Sequence, residues 1–529
     1  FLVVLVVWCM ALTGTLAVHA QEVPLNTDKF GRLLRLINTY YVDTTNISSL
    51  TEKAIVAMLQ ELDPHSVYIS KADVEKMNEP LVGNFDGIGI TFNIFRDTLL
   101  VTTIVPGGPS EKNGILPGDR ILVIDDKNIA GIGLTNNDVF SKLRGPKGTT
   151  VRLKIHRNKV NELLEFAVIR DKIPLYSLDA SYMLDKETGY IKLSRFSATT
   201  NEEFKTAMGE LKAKNLKNLI LDLRNNGGGY LNAATELAKE FLPANRLIVY
   251  TEGARSPKRE YKSAGGGLFE KGKLVILINE GSASASEILA GAIQDWDRGI
   301  IIGRRSYGKG LVQNPFFLND GSQVRLTTAH YYTPSGRCIQ RPYTNGVKDY
   351  RSDYQKRLDN GELFNADSIS LNDSLKYRTL NSGRTVYGGG AIMPDVFVAQ
   401  DTSSLYRYYN QLQRSNVLYN YVLDYIDQNR SKLLKQYPEF GKFSDGFRVT
   451  DGMIEALVSK GEKEKIPRDP ESLKFTSDLM KKEVKAFVAR DLFAAKYFYQ
   501  VYNQDDNTIK KALELIYNQN KFYQTLANN

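Results

Sequence analysis

Imidazole and thiol are scarce in this chain, with four His and two Cys among 529 residues. Neither a His-Glu-x-x-His motif nor a closely spaced Cys pair occurs, so a metal site has no support and no cofactor is expected. His19 lies in an apolar leader, His65 follows Pro64 and reads as a turn residue, and His156 belongs to a β-rich module. His330 is the only candidate for a Ser-His-Asp triad, and a packed strand histidine is its plainer reading. Acidic residues are fewer than basic ones, 60 against 69, but the excess is scattered and forms no basic block. That argues only weakly for nucleic acid as a partner. The Gly-rich turn at 227–229 lacks both the Gly-x-x-x-x-Gly-Lys-Ser/Thr order and the Gly-x-Gly-x-x-Gly spacing, so a nucleotide reading fails.

The chain has one long apolar run, and it lies at the very start. Residues 1–12 are apolar, and the segment ends in Val18-His19-Ala20. This reads as a secretory signal peptide over 1–20, cleaved before Gln21. An uncleaved membrane anchor remains open, although the run is short for a span. The segment begins without Met or a basic region, so its start reads as truncated. After cleavage only Cys338 would remain, so stability has to come from packing rather than crosslinks.

The remainder has ordinary globular composition, with room for roughly three or four domains. Residues 21–80 read as helical, with Phe30, Leu33, Leu34 and Ile37 on one stripe and Ala54, Ile55, Met58, Leu59 and Leu62 on another. Residues 81–170 form a β-rich module punctuated by Gly and Pro turns, with a short helix at 136–143. From 171 to 400 strands and helices alternate. Residues 219–223 are a buried strand, followed by Arg224-Asn225-Asn226-Gly227-Gly228-Gly229 and a helix over 231–241. Free backbone N–H groups beside a helix N-terminus suit an oxyanion, although a tight turn alone also fits. Residues 401–529 carry Tyr-rich helical stripes such as Val417, Leu418, Tyr421, Val422 and Tyr425. These read as a helical core, with a partner or dimer surface left open.

The organising stretch is 273–313. It reads as a buried strand, a loop at 279–282, a helix with Ile288, Leu289, Ala292, Ile293 and Trp296 at helical spacing, and a second strand at 299–303. That βαβ order predicts parallel neighbouring strands. Ser284 then sits at the mouth of the helix and Lys309 just past the second strand, along the edge where parallel sheets gather chemistry. Ser284-Ala285-Ser286-Glu287 is also a capping box, a purely structural alternative. Ser306-Tyr307-Gly308-Lys309 matches Ser-x-x-Lys, but Gly308 and Gly310 make a helix there poor and the companion motifs are absent.

Two resemblances add to this. The module at 81–170 resembles a PDZ domain, with Gly87, Ile88, Gly89 and Ile90 at its carboxylate-binding loop. PDZ domains take a peptide as an added strand. The order of that module, then Asp222–Gly229, Ser282-Ala283-Ser284-Ala285-Ser286 and Tyr307-Gly308-Lys309-Gly310-Leu311-Val312-Gln313, resembles the carboxyl-terminal processing peptidases, also called tail-specific proteases. The resemblance spans about 30 to 400 and implies a multidomain α+β fold. In it a PDZ module precedes an α/β peptidase core at 171–400, and helical regions lie at 21–80 and 401–529. It implies Ser284 as nucleophile, Lys309 as general base and Gln313 as the residue orienting the lysine. Ala285 with Gly227 or Gly228 would be the oxyanion donors, and Arg144 would couple the domains. A lysine base must be neutral, and nearby Arg304 or Arg305 would favour that. The expected partners are peptides with free, apolar C-termini, and an adaptor and a homo-oligomer stand open. The expected location is the periplasm or cell envelope. The alternative is an inactive PDZ scaffold or chaperone.

Overall fold

The computed structural model describes residues 22–527 apart from Lys159 and Thr402, so the leader at 1–20 lies outside the described residues. The chain forms two compact units, one of residues up to 72 with 313–327, the other of 73–312 with 328–529. Among the described residues no helix is long and apolar enough to cross a membrane.

In the first unit, residues 22–40 are helical and a second helix runs Ile47–Leu62. The Asn46 side chain caps the latter by accepting the Ser49 N–H at 3.0 Å. The Asp63 carboxylate shapes the turn that follows, accepting from the N–H groups of His65 at 2.7 Å and Ser66 at 2.8 Å. His65 is thus a turn residue. The 21–80 region is not helical throughout: Val67–Ile69 is a strand, paired antiparallel with residues 323–325. Three residues are too few to show a period, and the β-forming Val, Tyr and Ile there gain their ladder only from a distant partner.

In the second unit, Val74–Val82 is a helix and leads to the β module. Entry strand Asn84–Gly87 pairs antiparallel with exit strand Asp171–Pro174, which makes the module an insertion on a two-stranded neck. Its main sheet is antiparallel, in the order Ile90–Ile94, Leu99–Ile104, Arg120–Ile124, Thr150–His156, Leu164–Ile169. Leu99, Val101, Ile121, Val139, Val151, Leu153 and Ile155 fill its core. The edge strand Ile90–Ile94 lies beside the helix Asn136–Leu143, where Phe92 meets Phe140 with ring centroids 5.5 Å apart.

The region after the module carries a six-stranded sheet in the order Leu178–Met183, Thr188–Leu193, Asn218–Asp222, Lys273–Ile278, Ile300–Gly303, Val396–Phe397. Its first pair is antiparallel and the other four pairs are parallel, as the βαβ reading of 273–303 requires. Leu219, Leu221, Leu274, Ile276 and Ile278 point into one core with helices Thr200–Lys212, Leu231–Lys239 and Ala285–Asp295. Ile220, Val275, Leu277, Ile300 and Ile302 point the other way, onto Ile509, Ala512, Leu515, Ile516 and Phe522. The strands read as unbroken apolar runs because both faces are covered.

The tail therefore divides in two. Helices between 407 and 502, chiefly Val417–Gln436, Asp451–Lys463 and Pro470–Leu492, pack around their own aromatic core. Helices Asn507–Tyr517 and Gln519–Ala527 roof the second face of the parallel sheet.

Candidate active site

Ser284 follows the loop after strand Lys273–Ile278 and immediately precedes the helix Ala285–Asp295, every residue of which is buried. Its backbone has φ 56° and ψ −113°. That is a region suited to glycine, and for a serine it costs on the order of 1–3 kcal/mol. Such strain persists only where the surroundings enforce it, and here they do. The Ser284 N–H donates to Glu287 Oε2 at 2.7 Å, and its carbonyl accepts from the Glu287 N–H at 2.9 Å and the Tyr331 hydroxyl at 3.1 Å. The acidic half of the capping box is thus present and serves to hold a strained residue.

The three serines of 282–286 divide by environment. The Ser282 hydroxyl donates to the Leu223 carbonyl at 2.8 Å and that of Ser286 to the Asn226 carbonyl at 2.9 Å, both fully buried. Ser284 between them is half-buried. It is the one of the three that is not fully buried.

Lys309 lies on a segment without regular structure, 304–310, after strand Ile300–Gly303. The Glu287 carboxylate organises this segment too, accepting from the N–H of Lys309 at 3.0 Å, the N–H of Gly308 at 2.6 Å and the Ser306 hydroxyl at 2.5 Å. The buried Tyr331 hydroxyl donates to the Lys309 carbonyl at 2.6 Å. One carboxylate and one phenol therefore tie the main chains of Ser284 and Lys309 to each other. Burial pushes the Glu287 carboxyl above its ordinary value, while the donors from Ser306, Lys309, Gly308 and Ser284 oppose that. Glu287 and Tyr331 went unrecognised as site residues, because a capping Glu and a strand Tyr carry no other signal in sequence.

The Gly-rich turn meets the serine loop directly. Gly228 has φ 95°, and a Cβ there would lie 2.7 Å from the Ala283 carbonyl oxygen, 2.8 Å from Ser284 Cβ and 2.9 Å from the Ala285 nitrogen. Glycine at 228 therefore leaves Ser284 and the first helical N–H uncovered. The Gly228 N–H, however, donates to Asn226 Oδ1 at 2.9 Å. That hydrogen therefore already has an acceptor in this structure. Gly227, the other member of the pair, is exposed.

Other expectations change as well. Arg304 pairs with Glu280 at 2.9 Å and Arg305 with Glu362 at 2.6 Å, so neither is an uncompensated cation. Ser306 is fully buried, donating to Glu287 and accepting the Ile392 N–H at 2.8 Å. It is a strut, in non-helical backbone, and the Ser-x-x-Lys reading has no geometric basis. His330 stands on the strand Gln323–Tyr332 with Nδ1 3.9 Å from the Cys338 sulfur. Gln313, in the first unit, donates its side-chain amide to the His65 carbonyl.

In the β module, Gly87 ends the neck strand opposite Asp171 and Ile90 opens the edge strand opposite Ile104. Between them the Ile88 carbonyl accepts from the Ser110 N–H at 3.0 Å and hydroxyl at 2.7 Å, and that of Gly89 from the Val105 N–H at 3.0 Å. Bonded carbonyls and a positive φ of 77° at Gly89 shape a turned loop at the start of the edge strand Ile90–Ile94. Arg144 ion-pairs with Glu79 and stacks on Phe85 at 4.5 Å and Phe140 at 4.6 Å. It joins the module to the helix that precedes its neck.

A strained serine at a helix mouth thus lies against a Gly-rich loop, and a β module with an edge strand is inserted ahead of them. Residues 187–349 match the model of Peptidase family S41, residues 100–157 that of the PDZ domain, and residues 408–494 that of a family of unknown function. The carboxy-terminal-processing protease of Bartonella bacilliformis is 35% identical over 341 residues, 62% of this chain and 78% of that protein. Carboxy-terminal processing protease CtpB of Bacillus subtilis is 34% identical over 319 residues, 59% of this chain and 65% of that one. A probable CtpA-like serine protease of Staphylococcus aureus is 31% identical over 368 residues, 69% and 72% respectively. The chain belongs to the carboxy-terminal processing protease family, within Peptidase family S41, and is a serine endopeptidase with a PDZ domain.

Proposed function

We propose that the protein binds the free C-terminal tail of a peptide or protein along its PDZ edge strand and cleaves the chain with a Ser284–Lys309 dyad. The observation that carries this reading is the enforced, glycine-like backbone of half-buried Ser284 between two serines committed to the main chain. In the proposed reaction neutral Lys309 takes the Ser284 proton as Oγ bonds to the scissile carbonyl carbon. Charge on the carbonyl oxygen is met by the Ala285 N–H, at the positive end of its helix, and the Gly227 N–H. Collapse breaks the C–N bond, and Lys309 returns the proton to the leaving amine. Water then hydrolyses the acyl ester with Lys309 again as base. Gln313 keeps the orienting role that the family resemblance assigns, and activity rises with pH as the amine deprotonates.

The leader supports export to the periplasm or cell envelope, which cell fractionation tests. An adaptor or homo-oligomer belongs to the same reading, and co-purification and solution mass test it. The central experiment follows cleavage of a peptide with an apolar, unblocked C-terminus. Ser284→Ala is expected to abolish cleavage while retaining peptide binding, and Ser306→Ala to retain turnover. Loss only in Ser306→Ala overturns the assignment, and wild-type binding without cleavage at any pH favours a scaffold.

A further inference from the structure

The end of the helical tail reaches the loop that carries the glycine donor. Arg224 opens that loop, and its guanidinium grips Asp222 through both carboxylate oxygens, at 2.6 to 3.1 Å. Its remaining arm, Nη1, donates to Asp506 Oδ2 at 2.8 Å. Asp506 stands just ahead of the helix Asn507–Tyr517 and caps it, Oδ1 accepting from the N–H of Thr508 at 2.8 Å and of Ile509 at 3.0 Å. The Asp222 carboxylate also accepts from the Tyr190 hydroxyl at 2.8 Å and from Lys192 Nζ at 3.3 Å, and Lys192 donates to the Arg224 carbonyl as well.

Charge balance makes Asp506 matter. Lys192 and Arg224 supply two positive charges and Asp222 one negative, and all three side chains are at most 19% exposed. Asp506, itself 14% exposed, brings the cluster to neutrality. Without it a buried positive charge is left unbalanced, and the guanidinium gains by moving toward water. The backbone must follow, because the next residue, Asn225, already holds φ 58°. Asn225 and Asn279 exchange hydrogen bonds at 2.7 and 2.8 Å, and the Asn226 carbonyl accepts the Ala283 N–H at 3.0 Å and the Ser286 hydroxyl at 2.9 Å. A displaced Arg224 therefore shifts the glycine loop and the serine loop together.

We propose that Asp506, contributed by the C-terminal tail, is a positioning residue for peptide cleavage, acting through Arg224 to hold the 223–229 loop against the Ser284 loop. This rests on the site reading above. The test uses the full chain and a fluorogenic peptide with an apolar, free C-terminus. Asp506→Asn retains an acceptor for the helix cap and removes the charge. It is expected to lower kcat about tenfold with KM within about twofold, the split that marks lost transition-state alignment. The neighbouring exposed pair offers a control, Asp505→Asn, with unchanged kcat. In an Arg224→Gln background Asp506→Asn is expected to add no further loss. A kcat per folded molecule within twofold of wild type in Asp506→Asn overturns the proposal, whatever its melting temperature, as do losses that multiply in the double variant. Ser284→Ala, run beside these, separates the two claims: if it is inactive while Asp506→Asn is normal, only the positioning role fails.

Discussion

Glu287 concentrates the residue-scale physics. A fully buried carboxylate is costly unless its acceptor sites are filled, and here three N–H groups and one hydroxyl fill them. Those donors belong to the two segments bearing Ser284 and Lys309, so the bonds that offset the cost of burial also fix the backbones of these two residues. Glu287→Gln replaces one acceptor oxygen with an NH₂ that must face donors, leaving about 1–3 kcal/mol of unsatisfied polarity. The expected outcome is a folded protein with kcat/KM reduced roughly a hundredfold, the scale of an ångström-sized misplacement. Steady-state kinetics beside a melting curve checks this, and near-normal kcat/KM would remove Glu287 from the site. None of this was legible beforehand, because a Glu three residues after a Ser carries the same capping signature whether or not a second loop docks on it.

Among elements, the decisive contact is between two loops, each following a parallel strand. Strands Asn218–Asp222 and Lys273–Ile278 are direct neighbours, and this registers the Gly-rich turn against the serine loop. Gly228 marks the closest approach. Gly228→Ala would strain a φ of 95° and drive a methyl into the Ala283 carbonyl, Ser284 Cβ and the Ala285 nitrogen. We expect a loss of several degrees in melting temperature and at least a hundredfold in kcat, whereas Gly227→Ala, with nothing within 4 Å of its Cβ position, keeps its fold. Thermal melts with single-turnover kinetics distinguish them. The strand–helix–strand order of 273–303 and the β-rich module were readable in advance, because apolar runs and Gly spacing are local signals. The strand Val67–Ile69 was not, since its ladder depends on a partner about 250 residues away in sequence.

At the scale of the molecule, the tail is built into the peptidase rather than appended to it. Ile509, Leu515, Ile516 and Phe522 are nearly fully buried on the second face of the parallel sheet. At about 1.5–3 kcal/mol per side chain they contribute roughly 10 kcal/mol, comparable with the whole stability of a domain. Truncation after residue 506 is expected to abolish cooperative melting and cause aggregation, as followed by calorimetry and light scattering. A truncated chain melting within a few degrees of full length would contradict that role. The tail's other helices meet the PDZ domain, where Arg96 pairs with Asp424 and Arg120 with Asp427, each at 2.8 Å, beside Phe95, Leu100 and Leu423.

Read by itself, the chain determined its parallel crossover, its β-rich module, its aromatic helical tail and the placement of Ser284 and Lys309 just beyond strand ends. Each of these is written in the period of apolar residues and the position of glycines, within a span of some tens of residues. Folding in three dimensions decided which serine is left part-exposed, which amide hydrogens already have acceptors, that Glu287 and Tyr331 bind the main chains of Ser284 and Lys309, and that Asp506 meets Arg224. Those outcomes depend on which buried polar groups find partners, and such partners come from segments up to hundreds of residues apart.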